Sequence, residues 1–554
     1  MTARGFPPSV AVRGGLLGLL VVMVFVAVRL ASGETVVDPP LQSWAPNPVV
    51  GLVRRDVIVY GATASGVMAA IAAAQQGRSV ALVESTSNLG GMASSGISVT
   101  DVGDRTAIGG LVLEFYRRVG AHYDLIRHGV PFGWNPEPHV ALAILSEMLS
   151  ESGVDLYLGQ RLRLPDGVQM QGTSVTSIRM DSGAEFAGTV FIDSSYEGDL
   201  MAAAGVPFAV GRESAAEYGE SLAGVQPGNR VYPPISARYT SGEQLLIRGV
   251  EPSSNVVGSA DSRIQPYNFR LCFSSDPANQ VPFRKPSGYR PGHYVLLQRI
   301  LDHLETRGKD PGLADILVLS PIPDGKVDVN SGSIIGTDLI GGSWEYPDAD
   351  YAERARIWRQ HFVYDAGLLY YLSHAESVPE RIRDELNRWG LCRDEWTGTS
   401  NWPPLLYVRE GRRMVNESVL TQHDLVEHPL KADSIGLASY RVDAHTVSLY
   451  EGINGQLFSE GAISLEVPSP YQIPYSILLP PPSATDNLLV TVSVAATHVA
   501  YASLRMEPHY MIMGEAAGVA AALAAEGLVA VADVAVSELQ RLLRLRGARL
   551  ETPD

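Results

Sequence analysis

Residues 56–84 read DVIVYGATASGVMAAIAAAQQGRSVALVE, and this stretch decides the fold of the chain. Residues 57–60 form an apolar run that suits a strand buried on both faces. Residues 61–66 form a turn that begins and ends with glycine, and residues 67–76 are rich in alanine, which favours a helix. Residues 79–83 form a second apolar run. The order therefore predicts strand, glycine turn, helix and strand.

This order is the dinucleotide-binding βαβ pattern, with Thr63 in place of its middle glycine. Gly61 makes the tight turn, Gly66 lets the helix lie close to the strand, and the helix N-terminus presents free N–H groups to a pyrophosphate. Glu84 follows Gly61 by 23 positions, where a carboxylate accepts hydrogen bonds from ribose hydroxyls and repels a 2′-phosphate. The pattern indicates nucleotide binding. The alternative is an ordinary α/β crossover whose glycines serve packing only.

Length, charge and cysteine content restrict the class of protein. A chain of 554 residues forms more than one domain, or one domain with a large insertion. The net charge of −17 argues against nucleic acid as a partner. Cys272 and Cys392 are the only cysteines, too few for a four-thiolate iron–sulfur cluster. They could form a disulfide or remain buried thiols, and their spacing does not decide between these states.

Residues 14–28 are apolar and lie between Arg13 and Arg29. They predict either a signal peptide, cleaved near the small residues 31–33, or a single N-terminal membrane anchor. Both alternatives place the bulk of the chain outside the cytoplasm. The proline-rich residues 34–54 are interpreted as a linker.

Composition also divides the rest of the chain. Residues 55–211 and 470–530 have α/β character, whereas residues 212–469 are rich in aromatic residues and proline and are typical of an inserted domain. Residues 531–554 contain a final helix. Further predicted helices lie at residues 108–119, 136–149 (capped by Asn135), 292–306, 349–372, 379–389, 511–525 and 533–544 (capped by Asp533). Residues 193–205 are predicted to start as a strand end and to become a helix. Further predicted strands lie at residues 154–158, 174–180 and 185–192, and within residues 486–494.

Six blocks in order along the chain resemble the xanthan-lyase-like family of FAD-dependent oxidoreductases. They are DVIVYGATASGVMAAIAAA, NLGGMASSG, VFIDSSYEGDLMAAAGVPFAVGRE, YNFRLCFS, NWPPLLYVREGRRMVNESVLTQHDL and DNLLVTVSVAATHVAYASLRMEPHYMIMGEAAGVAAALA. The resemblance implies FAD as cofactor and an α/β fold. It implies a Rossmann-like, glutathione-reductase-like flavin domain built from both ends of the chain, with an inserted α+β substrate domain.

The resemblance also implies a set of cofactor-binding residues. The pyrophosphate would be held by Gly61, Thr63, Ser65 and Gly66, and the adenosine ribose by Glu84. Gly90, Gly91 and Met92 would pass along the flavin, and Asp193 would end the strand before the GDL turn. Residues 513–518, with Gly514, Ala516 and Ala517, would direct a helix N-terminus toward the pyrimidine end of the flavin, where a helix dipole stabilises negative charge.

Hydride transfer usually needs a base beside the flavin, and the late histidine His498 is the first candidate. The alternative is a structural histidine bonded to backbone. Arg505 could bind a substrate carboxylate or stabilise charge on the flavin, or it could pair with Glu507. Arg409 could face the ring from the insert, together with Asn268, Arg270 and Tyr407, or it could belong to a salt-bridge network. No metal site is predicted, because the histidine pairs lack partner ligands at suitable spacing.

These features together predict an FAD-dependent oxidoreductase that transfers hydride between the flavin and a polar organic substrate. A carbohydrate is one candidate substrate, and the electron acceptor is not identified. One alternative is an exported lyase or glycan-binding protein with a structural flavin. Another is an NAD(H)-dependent dehydrogenase with the same nucleotide-binding fold.

Overall fold

The computed structural model describes residues 49, 51–230, 235, 236, 238, 250–252, 256–452 and 455–552. The predicted signal peptide or anchor and most of the predicted linker lie outside these residues. None of the helices in the described ranges combines the length and apolar character needed to cross a bilayer.

Short strands run through the whole described chain. In chain order they are β1 (Leu52–Tyr60), β2 (Val80–Val83), β3 (Asp155–Tyr157), β4 (Val168–Gln171), β5 (Ser174–Arg179), β6 (Glu185–Asp193), β7 (Phe208–Ala209), β8 (Asn229–Arg230), β9 (Val250–Pro252), β10 (Leu271–Ser274), β11 (Gln280–Val281), β12 (Leu317–Ile322), β13 (Lys326–Ser331), β14 (Gly390–Cys392), β15 (Arg413–Met414), β16 (Ser434–Ala438), β17 (Val442–Ala444), β18 (Ser448–Glu451), β19 (Leu457–Glu460), β20 (Ile463–Leu465), β21 (Tyr471–Pro474) and β22 (Leu488–Val490).

The helices separate these strands and cover the main sheet. They are α1 (Ala64–Gln75), α2 (Gly110–His122), α3 (Pro138–Ser152), α4 (Asp199–Ala203), α5 (Ala215–Tyr218), α6 (Val295–Thr306), α7 (Tyr351–His374), α8 (Glu380–Leu386), α9 (Gln422–Glu427), α10 (His498–Leu504), α11 (Glu507–Gly527) and α12 (Val536–Leu545).

The main sheet is built from both ends of the chain, as predicted. Its strand order is β3-β2-β1-β6-β5-β4, and β22 also pairs with β6. β1 lies between β2 and β6 and is parallel to both, and β22 is parallel to β6. Residues 57–59 of β1 are completely buried, as expected for a central parallel strand covered on both faces. The α/β fold class with a parallel sheet is confirmed.

The region predicted as an insert contains a separate antiparallel sheet, with strand order β11-β14-β10-β13-β12. A disulfide joins Cys272 of β10 to Cys392 of the neighbouring strand β14. This pairing decides the question that the sequence left open. The disulfide packs with Ile322, Val99 and Trp396, so it lies where the insert meets the loop that follows the GGM sequence.

Most helices begin within four residues of the predicted start, and three of these differences involve the predicted cap or first turn. α3 begins at Pro138 rather than Pro136, because proline with its fixed φ suits the first helical position and Glu137 precedes it as the N-cap. α11 begins at Glu507, one turn before the predicted start, with Pro508 in its first turn. α12 begins at Val536, and its N-cap is Ala535 rather than Asp533.

Candidate functional site

The glycine turn lies at the edge of the main sheet where parallel strands end side by side. Tyr60 at the end of β1 is level with Val83 of β2 and with Asp193 of β6. Gly61 has a φ of +97°, and a Cβ there would lie 2.6 Å from the backbone nitrogen of Ser195. Glycine is therefore required at this position both by conformation and by space. α/β proteins bind ligands at this edge of their sheets.

The hydroxyl groups of the turn are bonded within the protein. Thr63 is the N-cap of α1: its oxygen accepts a hydrogen bond from the N–H of Gly66 (3.2 Å) and its O–H donates to the carbonyl of Ser194 (2.8 Å). The Ser65 hydroxyl donates to Thr491 (2.8 Å). Thr63 thus stabilises the first turn of α1, and Ser65 ties it to the C-terminal part of the sheet. The sequence did not single out Ser194 and Thr491, whose only signal is a polar residue directly after a buried strand.

Glu84 is at the end of β2, where the sequence placed it, and it is 8% exposed. One carboxylate oxygen accepts the N–H of Ala62 (2.7 Å), and the other accepts the N–H of Thr86 (2.7 Å). Glu84 therefore fixes the glycine turn to the loop after β2. Beside this loop lies a cavity of about 150 Å³, which we name the Glu84-side cavity. Its lining includes Ser85, Thr86, Tyr196, Glu197, Tyr351 and Arg354.

Asp193 organises the turn after β6. One carboxylate oxygen accepts both the N–H (2.9 Å) and the hydroxyl (2.7 Å) of Ser195, and the other accepts the N–H of Met201 (2.8 Å). Burial raises the pKa of Asp193 to about 6, although these hydrogen bonds lower it. Both oxygens are used within the protein, so the structure gives Asp193 a local role. Its contact with a cofactor stays a prediction.

The predicted flavin loop, Gly90 to Met92, lies against the glycine turn. The N–H of Gly90 donates to the carbonyl of Ala62 (2.7 Å). The N–H of Met92 donates to the hydroxyl oxygen of Tyr196 (2.8 Å), and the Tyr196 O–H donates to Glu507 (2.7 Å). Tyr196 thus connects β6, the GGM loop and the start of α11. Tyr196 was not predicted from the sequence, where its only signal is its place three residues after the end of β6.

A small enclosed cavity lies at the N-terminus of α11, and we name it the carboxyl cavity. Its lining includes Thr100, Asp101, Tyr116, Tyr407, Met506 and Glu507. The volume is about 20 Å³, room for roughly one water molecule or one hydroxyl group.

Two carboxyl groups face this cavity, and burial raises the pKa of both. The pKa of Glu507 is about 7, although the Tyr196 hydrogen bond lowers it. The pKa of Asp101 is raised too, although Arg270 and Arg505 lower it. Carboxyls with raised pKa values are suited to proton transfer near neutral pH.

Two of the three predicted catalytic residues meet around Tyr407. The guanidinium of Arg505 donates to the Tyr407 hydroxyl (2.6 Å) and to the backbone oxygen of Asp443 (2.8 Å). Arg409 lies 4.8 Å from the centre of the Tyr407 ring and pairs with Asp338 (2.9 Å). Arg505 does not pair with Glu507, the alternative considered from the sequence, because Tyr407 and Asp443 hold its guanidinium.

An open cleft of about 370 Å³ lies on the other side of Arg505, and we name it the polar cleft. Its lining includes Ser331, Ser333, Asp338, Arg441, Asp443 and His445. Burial raises the pKa of Asp338, but Arg409 and His445 outweigh burial and lower it overall. The cleft therefore offers hydroxyl groups and charges of both signs.

His498, the first candidate for the base, occupies a different environment. It is completely buried, and its Nδ1 lies 2.8 Å from one carboxylate oxygen of Glu410. Glu410 also lies 3.2 Å from Arg413, which binds Glu213. His498 is absent from the lining of the carboxyl cavity. The structure gives it a place in a buried charge network, and its catalytic role stays a prediction.

Residues 513–518 do not form the N-terminus of a helix, so that prediction is wrong. Gly514, Ala516 and Ala517 lie inside α11 and are buried. A Cβ on Gly514 would clash with the carbonyl oxygen of Ser65, which shows that α11 packs directly on α1 here. The helix N-terminus that reaches the carboxyl cavity is formed by residues 506–508.

A cluster of four side chains, where the insert meets the start of α3, has the residue types of a metal site. Glu137, His139, Asp394 and Glu395 lie close together. Lys326 places its ammonium among them, bonded to Glu137 and 2.5 Å from Asp394. A cation of the protein therefore already occupies the centre of this cluster.

The residues at the sheet edge fit a flavin dinucleotide. The glycine turn and α1 supply backbone N–H groups, and Glu84 supplies the carboxylate beside the Glu84-side cavity. In the described part of the chain, the buried oxygens Oγ of Ser95 and Oε2 of Glu507 have no hydrogen-bond partner. Ser95 follows the GGM sequence, which the resemblance assigns to the flavin, and Glu507 lies at the N-terminus of α11.

Comparison with known proteins agrees with this geometry. A family model described as FAD dependent oxidoreductase matches residues 56–543. No curated protein matches the chain.

Three solved structures are similar to this chain at low identity. A geranylgeranyl bacteriochlorophyll reductase-like protein from Thermoplasma acidophilum is 11% identical over 90% of this chain and 85% of its own, with a TM-score of 0.34. OxyS anhydrotetracycline hydroxylase from Streptomyces rimosus is 16% identical over 32% of this chain and 40% of its own, with a TM-score of 0.21. L-amino acid deaminase from Proteus vulgaris is 16% identical over 33% of this chain and 54% of its own, with a TM-score of 0.22. Such low similarity carries no argument about substrate.

Proposed function

The chain belongs to the family of FAD-dependent oxidoreductases, and from this premise we propose that it oxidises or reduces a polar, hydroxyl-bearing organic substrate, with carbohydrates as the leading class. The polar cleft carries this proposal. Its hydroxyl groups and mixed charges suit a substrate that is itself rich in hydroxyl groups.

The position of Arg505 links the polar cleft to the carboxyl cavity. One side of its guanidinium bonds Asp443 of the cleft, and the other side bonds Tyr407 of the cavity. The body of the substrate would lie in the polar cleft, and its reacting hydroxyl would enter the carboxyl cavity, which has room for one such group. Arg505 would position the substrate between them.

FAD supplies, when bound, a two-electron acceptor or donor for hydride transfer. The backbone of the glycine turn and the N-terminus of α1 would hold its pyrophosphate, and Glu84 would hold its ribose. Residues 90–92 and Tyr196 would lie along the path to the carboxyl cavity. The enclosed cavity excludes bulk water from the place where hydride moves.

An anaerobic screen that follows bleaching of the flavin absorbance tests this function. The protein without residues 1–33 is mixed with neutral sugars and polyols, and with amino acids and simple carboxylic acids as comparison classes. Bleaching by a neutral sugar or polyol is the expected result. Bleaching only by members of the comparison classes contradicts the proposed substrate class.

Two arginine variants make the test specific to the site. Arg505→Met is expected to keep its flavin and to raise KM by about tenfold, the effect of roughly 1.4 kcal/mol of binding energy. Arg541→Ala is the matched control, since Arg541 is an exposed arginine of α12 that pairs with Glu538. Equal KM values for both variants would exclude a substrate role for Arg505.

Glycan cleavage that persists in flavin-free protein would favour the lyase alternative.

We also propose that the protein is exported or anchored outside the cytoplasm by its N-terminal segment. The Cys272–Cys392 disulfide supports this, because such bonds persist in oxidising compartments and are rare in the cytosol. The apolar residues 14–28 supply an export signal or anchor. Cell fractionation followed by thiol labelling tests the proposal. A cytosolic protein whose two cysteines are both labelled without prior reduction would contradict it.

A further inference from the structure

We propose that Glu507 is the proton acceptor of the redox reaction and that Tyr196 is the residue that positions it. This inference deepens the proposed function, since it assigns the proton step of the same site. It replaces His498, which the sequence favoured for this role.

Hydrogen bonding fixes which oxygen of Glu507 is available. The Tyr196 oxygen accepts the N–H of Met92, so its single O–H proton is directed to Oε1 of Glu507. Oε1 is therefore occupied. No polar atom of the described residues bonds the other oxygen, Oε2, although it is buried. An unpaired buried carboxylate oxygen is costly unless a ligand or water satisfies it, which singles out Oε2 as the proton-accepting atom.

The surroundings of Glu507 contain hydroxyl groups and a second carboxyl. Three residues from separate segments line the same cavity. Asp101 lies in the loop after the GGM sequence, Tyr407 lies in the insert, and Tyr116 lies in α2. Tyr510 lies on α11 close enough to interact electrostatically with Glu507. None of the ion pairs found among the described residues includes Glu507. With no ion-pair partner among these residues, the group exchanges a proton near neutral pH rather than staying permanently ionised.

The proton step balances with hydride transfer. In the oxidative direction, the O–H bond of a substrate hydroxyl breaks and its proton goes to the Glu507 carboxylate. The C–H bond on the same carbon breaks, and the hydride leaves with both electrons to oxidised FAD. The carbon–oxygen bond becomes a carbonyl, and the proton on Glu507 then returns to solvent.

Glu515 on the same helix provides a matched structural control. It is also buried, but its carboxylate binds Arg546 (2.9 Å) and the N–H of Leu111 (2.8 Å). Both oxygens of Glu515 thus have fixed partners. A carboxyl with only a structural role in α11 is expected to behave as Glu515 does.

The experiment compares Glu507→Gln, Tyr196→Phe and Glu515→Gln in the flavin-loaded protein. Infrared spectra recorded below and above pH 7, the approximate pKa of Glu507, are subtracted from each other. Other buried carboxyls such as Asp193, with a pKa of about 6, also titrate in this range. The wild type is therefore expected to lose one protonated carboxyl band that is missing from the Glu507→Gln spectrum. The band should persist in Glu515→Gln, and in Tyr196→Phe its midpoint should move upward by about one pH unit, because one hydrogen bond to the ionised form is lost.

Flavin reduction by the best substrate of the screen gives the second readout. Glu507→Gln is expected to retain FAD and to lower the limiting rate of reduction by about 10²–10⁴-fold, the usual contribution of a general base. Its rate should also lose the dependence on pH that the wild type shows. A Glu507→Gln protein that keeps the carboxyl band, or that keeps the wild-type pH profile, overturns the inference. If no substrate bleaches the flavin of the wild type, this result contradicts the proposed function but not the role of Glu507. The infrared spectra then decide separately whether Glu507 exchanges a proton.

Discussion

At the scale of single residues, Glu84 shows how one carboxylate can organise a cofactor turn. It accepts N–H groups from Ala62 in the glycine turn and from Thr86 in the next loop, and Thr86 lines the Glu84-side cavity. The same residue thus maintains the backbone that faces the pyrophosphate and lies where the ribose is expected.

We expect Glu84→Gln to weaken FAD binding by about 10–100-fold. The amide has one acceptor oxygen in place of two, so one buried N–H loses its partner, at a cost of about 1–3 kcal/mol. Titration of flavin-free protein with FAD, followed by flavin fluorescence, measures the change. Glu538→Gln is the control, because Glu538 is a surface residue of α12 that pairs with Arg541. Equal affinity in both variants would show that Glu84 does not shape the cofactor site.

At the scale of elements, the contact between α1 and α11 joins the two ends of the chain. Gly514 and Gly518 of α11 lie against the carbonyl oxygens of Ser65 and Ala69, so the two helices touch backbone to backbone. This close approach carries the N-terminus of α11 to the carboxyl cavity and puts Glu507 within reach of Tyr196.

We expect Gly514→Ala to destabilise the protein by about 1–3 kcal/mol and to reduce its FAD content. Its Cβ would clash with the rigid backbone of Ser65, so the helices must separate. Urea unfolding and the flavin absorbance per protein measure the two effects. Gly527→Ala at the end of the same helix is the control, since its nearest neighbour would be 3.5 Å away, an ordinary contact. If both variants lose stability equally, the clash with Ser65 does not explain the result, because alanine by itself has a higher helix propensity than glycine.

At the scale of the whole molecule, hydrogen bonds and an ion pair hold the insert against the loop that follows the GGM sequence. Asp328 of β13 accepts the N–H groups of Ser98 (3.0 Å) and Val99 (2.9 Å) and pairs with Arg270 (2.7 Å). The indole of Trp396 donates to the carbonyl of Ser94 (3.0 Å). The Cys272–Cys392 disulfide packs against Val99 and Trp396, next to Thr100 of the carboxyl cavity lining.

We expect the double variant Cys272→Ser/Cys392→Ser to lose about 2–5 kcal/mol of unfolding free energy. The disulfide joins residues 120 positions apart, and such a long closed loop restricts the unfolded chain strongly. Because the insert supports the flavin loop, FAD retention through desalting is also expected to fall. Chemical denaturation with and without reductant measures stability. A variant as stable as the oxidised wild type would show that the disulfide does not stabilise the fold.

The sequence by itself determined the nucleotide-binding end of the molecule. Strand burial, the glycine turn and the spacing of Glu84 depend on neighbours in sequence, so residues 56–84 were predictable and the family resemblance extended the prediction along the chain. Only the tertiary structure decided which side chains meet at the other end of the site. Tyr196, Asp101, Tyr407 and Glu507 come from separate segments, and their hydrogen bonds and burial arise only when the chain ends close one sheet. For the same reason the histidine favoured by sequence is bonded to Glu410, whereas the available carboxylate belongs to Glu507.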